Sequence, residues 1–282
     1  MEPQAPLASV RGGLHWWGTA LYVPVLYGLG WLVVRPLAWI APSWRSDQID
    51  LAGVVVALLL LLVSLPLRLG RVWGDGHPWQ RLGLAVPIRR GAQAWLRGAL
   101  KAALLLALVC GALLLGGQAR WLGDVSLGLL LNGLALMAGV GFAEELLFRG
   151  WLWGELELQV GPNRALLLQA AIFALLHPWY RYPGLQAIGL LGGLILLGLA
   201  LALQRRADGG TLWGSIGLHG VLVGGWFLVQ TGALQISPGA PAWWVGPGFA
   251  DINPTGGLLG WLGLGALIWA RRRWWSAANG SP

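Results

Sequence analysis

Gly141-Phe142-Ala143-Glu144-Glu145-Leu146-Leu147-Phe148-Arg149-Gly150 sets two carboxylates and a guanidinium at the end of an apolar run that begins near Leu122. The run is long enough to enter a bilayer, where inserting a single Arg, Lys or Asp at a helix centre costs about 2.5–3.5 kcal/mol. Three ionisable groups in such a place point to function. The competing reading is a helix end at the headgroups, with the charged tips reaching into water. Helical spacing suggests separate roles for the two acids. Glu145 and Arg149 are four apart with the acid first, the favourable order for a pair. Glu144 lies about 100° further round the helix, at about 3.6 residues per turn, and is left to face something else. A carboxylate held there by its surroundings suits general-base chemistry.

The rest of the chain agrees with a membrane setting. Of its 282 residues 56% are hydrophobic and 11% charged, and the mean hydropathy is +0.65. Soluble domains carry about 25% charged residues, which excludes an ordinary soluble fold. Cys110 is the only cysteine, so neither an internal disulfide nor a zinc cluster of thiolates is available. Apolar segments at Trp16–Val34, Leu51–Leu67, Leu96–Leu115, Leu122–Arg149, Ala165–His177, Leu185–Leu203, Leu212–Val229 and Gly257–Ala270 predict an all-α bundle of about eight transmembrane helices. The fifth segment is short, and burial inside the bundle would reduce the count to seven. Pro178 marks His177 as the end of its helix.

Charge fixes the expected orientation. Arg68, Arg71, Arg81, Arg89, Arg90 and Arg97 face one acid, Asp75, and Arg271, Arg272 and Arg273 close the last segment, whereas Thr231 to Thr255 carries no basic residue. Positive charge gathers on the cytoplasmic side, so both termini are expected there. The basic stretch between spans two and three, interleaved with Trp73, Trp79 and Trp95, suits an anionic membrane surface. Because the charge follows topology, a nucleic-acid partner is not expected. The chain reads as a cytoplasmic tail at 1–15, a single transmembrane domain at 16–275 with a functional core at 122–230, and a tail at 276–282. An integral protein of a bacterial plasma membrane or another internal membrane is expected.

This topology puts the acidic pair just inside the cytoplasmic face. His177 and His219 are the only histidines in the apolar segments, and Phe173 lies four residues before His177 on one helix face. Each histidine alone reads as an interhelical hydrogen-bonding residue. Together with two carboxylates on a third helix they read as a site, because costly polar groups in hydrocarbon need one another.

Glu144-Glu145-x-x-x-Arg149, Phe173-x-x-x-His177 and His219 resemble the three signature motifs of the CAAX prenyl protease and bacteriocin-processing (CPBP, or ABI) family of intramembrane proteases, over about residues 141–223. The resemblance implies that Glu144 activates water for attack on a peptide carbonyl, that His177 and His219 complete the catalytic set, and that Glu145, Arg149 and Phe173 support it. One position departs from the pattern. The family usually has Asn or Asp four residues after the last histidine, and here Val223 stands there. Ser215, Trp226 or Asn132 are candidates to replace the lost polar contact. The resemblance implies a hydrophobic or lipid-anchored peptide as substrate. No cofactor is favoured, although Glu144, His177 and His219 would make a plausible zinc set with an open water position. Two other readings are a catalytically idle relative serving as a scaffold, immunity or assembly factor, for which Val223 is the argument, and a proton-relay transporter, against which the lack of inverted repeats speaks.

Overall fold

The computed structural model describes residues 15–248 and 252–275. Apart from His15, the tails expected at 1–15 and 276–282 lie outside the described residues. The described residues gather into two compact units divided after Arg81.

The first unit is a helical hairpin. Helix α1 (Trp16–Val34) runs through Pro24, and α2 (Ser46–Arg68) carries Pro66 near its end. A Cβ on Gly30 would lie 2.9 Å from the Ala57 nitrogen, so the two backbones meet at a glycine. Further along, the Tyr22 hydroxyl and Ser64 Oγ are 2.7 Å apart, and Ser64 donates to the Leu60 carbonyl.

The second unit holds α3 (Ile88–Leu115), the short strand β1 (Ala119–Trp121), α4 (Leu127–Glu144), α5 (Trp153–Val160), α6 (Pro162–Leu176), α7 (Gly184–Ala207), α8 (Trp213–Leu228), strand β2 (Leu234–Ile236) and α9 (Leu258–Ala270). Between α4 and α5 the backbone winds as a π-helix over Glu145–Leu152, so the helix does not end at Arg149. The stretch 151–160, which follows the fourth apolar segment, is helical because Trp151, Leu152, Trp153 and Leu156 bury an apolar face. Strands β1 and β2 pair antiparallel, with Ala119 opposite Ile236 and Trp121 opposite Leu234.

Six helical stretches among the described residues are long and apolar enough to cross a membrane: Trp16–Ile40, Ser46–Trp73, Ile88–Leu115, Leu127–Val160, Gly184–Ala207 and Trp213–Ala233. The protein is an integral membrane protein built as a helix bundle. The other two segments counted from sequence are shorter helices, α6 with 15 residues and α9 with 13. At about 1.5 Å per residue each falls short of a hydrocarbon core of about 30 Å.

Helix α8 is the axis of this unit, and glycines bring its neighbours onto it. A Cβ on Gly141 of α4 would stand 2.7 Å from the Gly220 Cα, and one on Gly98 of α3 would collide with the Gly214 carbonyl. Small residues let helix backbones approach closely where no water drives association. The crossing at Gly141 and Gly220 sets the turn bearing Glu144 and Glu145 against the turn bearing His219.

Candidate active site

The π-helical segment begins at Glu145 and carries Arg149 inward; both side chains are fully buried. Their pairing follows the spacing: Arg149 Nη1 donates to Glu145 Oε1 at 2.8 Å. The same oxygen accepts from His219 Nδ1 at 2.8 Å. One carboxylate of α4 thus orients the imidazole of α8. His177 caps the C-terminus of α6, and its Nδ1 donates to the Phe173 carbonyl at 2.7 Å. With Nδ1 occupied on both rings, each Nε2 is turned toward Glu144: 3.6 Å for His177 and 3.8 Å for His219, both to Oε2. That oxygen is buried and has no hydrogen-bond partner.

Phe173 is the centre of the packing. Its ring lies 4.3 Å from the His177 ring and 6.0 Å, edge-on, from the His219 ring, while the Arg149 guanidinium sits 4.2 Å from its centroid. An aromatic face is a favourable neighbour for a desolvated guanidinium. All six residues singled out in the sequence therefore converge: Glu144, His177 and His219 face one another, and Glu145, Arg149 and Phe173 hold them.

A cavity of about 460 Å³ opens onto Phe173, His177 and His219. It follows one face of α8 through Leu222, Val223, Trp226, Phe227 and Gln230, and Leu105, Leu106, Val109, Leu194, Leu197 and Leu264 make its walls largely apolar. Val223 lines it, so the departure from the family pattern lies inside the site. The substitutes suggested by sequence do not fill the gap. Asn132 is exposed on α4, Ser215 Oγ donates to the Leu212 carbonyl, and Trp226 Nε1 donates to the Ile252 carbonyl. The polar residues that do line the cavity include Tyr182, Gln230, Asn253 and Thr255. Sequence reasoning misses them because three lie in loops, where no periodicity assigns a face.

Two imidazole nitrogens and a carboxylate oxygen are donor types of a catalytic zinc site. Among the described residues, however, no group of three or more His, Cys, Asp or Glu side chains is arranged to hold a metal ion. The chemistry proposed for these residues is not routed through a metal ion.

Residues 5–77 match a domain of unknown function, DUF8676, and residues 125–224 match the family model described as type II CAAX prenyl endopeptidase Rce1-like. No curated protein and no solved structure matches the chain. The second match takes in all six convergent residues and Val223, and the Rce1-like family is in general one of proteases. This match, over residues 125–224, supports membership of the CAAX prenyl protease and bacteriocin-processing family.

Proposed function

We propose that the protein is an intramembrane endopeptidase that hydrolyses a peptide bond of a hydrophobic or membrane-anchored substrate with water activated by Glu144. The observation that carries this reading is the pair of imidazole Nε2 atoms aimed at one buried, unpartnered carboxylate oxygen. Separations of 3.6 and 3.8 Å are too long for direct hydrogen bonds and suit an intervening water.

Charge counting assigns the remaining roles. Glu144, Glu145 and Arg149 together carry one net negative charge, and one proton shared by the imidazoles brings the cluster to neutrality. A ring that already donates through Nδ1 then also donates through Nε2. His219 suits this role through the bond from its Nδ1 to the Glu145 carboxylate, which orients its Nε2 toward Glu144. Glu144 takes a proton from water as the hydroxide oxygen bonds to the substrate carbonyl carbon. The imidazolium Nε2–H holds the oxyanion that develops, and Glu144 returns its proton to the leaving amine as the C–N bond breaks. The basic stretches flanking the spans support a site on the cytoplasmic side.

Membrane peptides from cells carrying wild type or Glu144→Gln, compared by mass spectrometry, test the reading. Cleavage products that disappear in the variant support it. Identical peptide profiles, with the variant keeping its cellular phenotype, favour the idle relative suggested by Val223. Metal analysis of the same purified protein tests the metal-free route: stoichiometric zinc, lost together with activity on chelation, overturns it.

A further inference from the structure

The proposed reaction leaves the polar residues of the cavity's loops unused, and one of them is held with a free donor. Asn253 lines the same cavity as His177, His219 and Val223. Its Oδ1 accepts from the Thr255 backbone N–H at 3.1 Å and from the Thr255 hydroxyl. A backbone N–H only donates, so the network itself fixes which end of the carboxamide is oxygen. The NH2 end is turned away from Thr255 and makes no hydrogen bond among the described residues. A residue that merely capped the turn at Pro254–Gly256 would need only the oxygen.

The loop carrying Asn253 is held from two sides. Trp226 Nε1 of α8 donates to the Ile252 carbonyl at 2.7 Å. Against α7, the Gly256 carbonyl would stand 2.7 Å from a Cβ on Gly189, and the Thr255 carbonyl would collide with one on Gly193. Glycines at those positions let the loop main chain seat itself against the helix, so the Asn253 amide is a fixed group.

Its place along α8 decides what it can reach. Trp226 is seven residues beyond His219, about 10 Å along the helix at about 1.5 Å per residue. That is too far to touch an oxyanion beside His219, and it equals two to three residues of extended peptide at about 3.3 Å each. A peptide drawn into apolar walls loses water from its carbonyls, and each then needs a donor. We propose that Asn253 is a substrate-binding residue whose Nδ2 hydrogens hold a main-chain carbonyl two to three residues from the scissile bond. This rests on the endopeptidase reading and adds to it that the substrate lies extended along α8.

Asn253→Asp separates the two uses of the side chain, because it keeps the oxygen that caps the turn and loses the NH2. The probe is a library of internally quenched hydrophobic dodecapeptides, with and without an S-alkylated cysteine, assayed in detergent micelles. On the best-cleaved sequence Asn253→Asp should raise KM about tenfold and change kcat less than about threefold, the scale of one lost hydrogen bond. Replacing single peptide bonds of that sequence by esters weakens one carbonyl acceptor at a time. Wild type should lose a similar factor at one bond two to three residues from the cut, and Asn253→Asp should not respond there. A variant with wild-type KM, or with the wild-type ester response, overturns the subsite while leaving the protease reading intact. If the variant does not accumulate, the ester scan of wild type decides: no sensitive bond at that distance overturns the subsite. A wild type that cleaves no member of the library overturns both.

Discussion

Arg97, Asp208, Gln204 and Lys101 form one polar cluster between α3 and the end of α7; Glu144, Glu145, Arg149, His177 and His219 form the other, and only the first closes on itself. Asp208 accepts from Arg97 Nη2 at 2.7 Å and from Gln204 Nε2 at 2.5 Å, and Gln204 in turn accepts from Lys101 at 2.6 Å. None of these side chains leaves a buried polar atom without a partner. In the second cluster Glu144 Oε2, Glu145 Oε2, Arg149 Nε and Arg149 Nη2 are all buried and unpartnered. A satisfied network in an apolar bundle ties helices together. An unsatisfied one is costly to keep, and its loose ends gather where water and substrate would supply the missing bonds. The contrast sets a satisfied polar cluster apart from an unsatisfied one without reference to family.

The largest effect expected from breaking this contrast is on turnover. Glu144→Gln keeps the shape of the side chain and removes the base, so peptide cleavage by purified protein should fall about 10³-fold, within the range attributed to a general base. Thermal unfolding in detergent should shift little, since Glu144 makes no hydrogen bond within 3.5 Å to either imidazole. Arg149→Met acts on stability instead. It leaves Glu145 buried with His219 alone, and removing one member of a buried pair costs about 3–5 kcal/mol. Denaturation in detergent should show that loss, together with loss of activity as Glu145 ceases to hold His219 in place. Asp208→Asn probes the satisfied cluster. Arg97 is 48% exposed, so its bond to Asp208 is partly screened and the expected cost is about 1–2 kcal/mol. The folded fraction should cleave at the wild-type rate, and a large drop in kcat there would undo the distinction between the clusters.

How much of this could be read from residues alone follows the same division. The Glu145–Arg149 pair, the Phe173–His177 turn and the extent of α1 at Trp16–Val34 are matters of local spacing, and the chain adopts them as the spacing predicts. The π-helical winding over Glu145–Leu152 is not legible, because apolar periodicity presumes a regular helix and Leu146, Leu147 and Phe148 suit either winding. The shortness of α6 and α9 is hidden for a related reason: hydropathy reports apolar length, while helix ends depend on turns such as His177-Pro178 and Gly256-Gly257. Asn253 is the least legible of all. Nothing within its own loop places it in the cavity; the Trp226 bond and the glycines of α7 do, and both are tertiary.

The smallest expected effect bears on the departure at Val223. Valine there offers no donor, and an oxyanion site stripped of one donor loses about 10²–10³ in kcat. If the imidazole Nε2–H is the principal donor, as the Glu145–His219 bond suggests, the site is already equipped and an added amide has little left to stabilise. Val223→Asn should then raise kcat by no more than about threefold, less than one net neutral hydrogen bond contributes. A rise of a hundredfold would mean that His219 does not serve as that donor and that the natural site runs with its oxyanion exposed. The Glu145–His219 pair would then belong with the Asp208 network, as structure rather than chemistry.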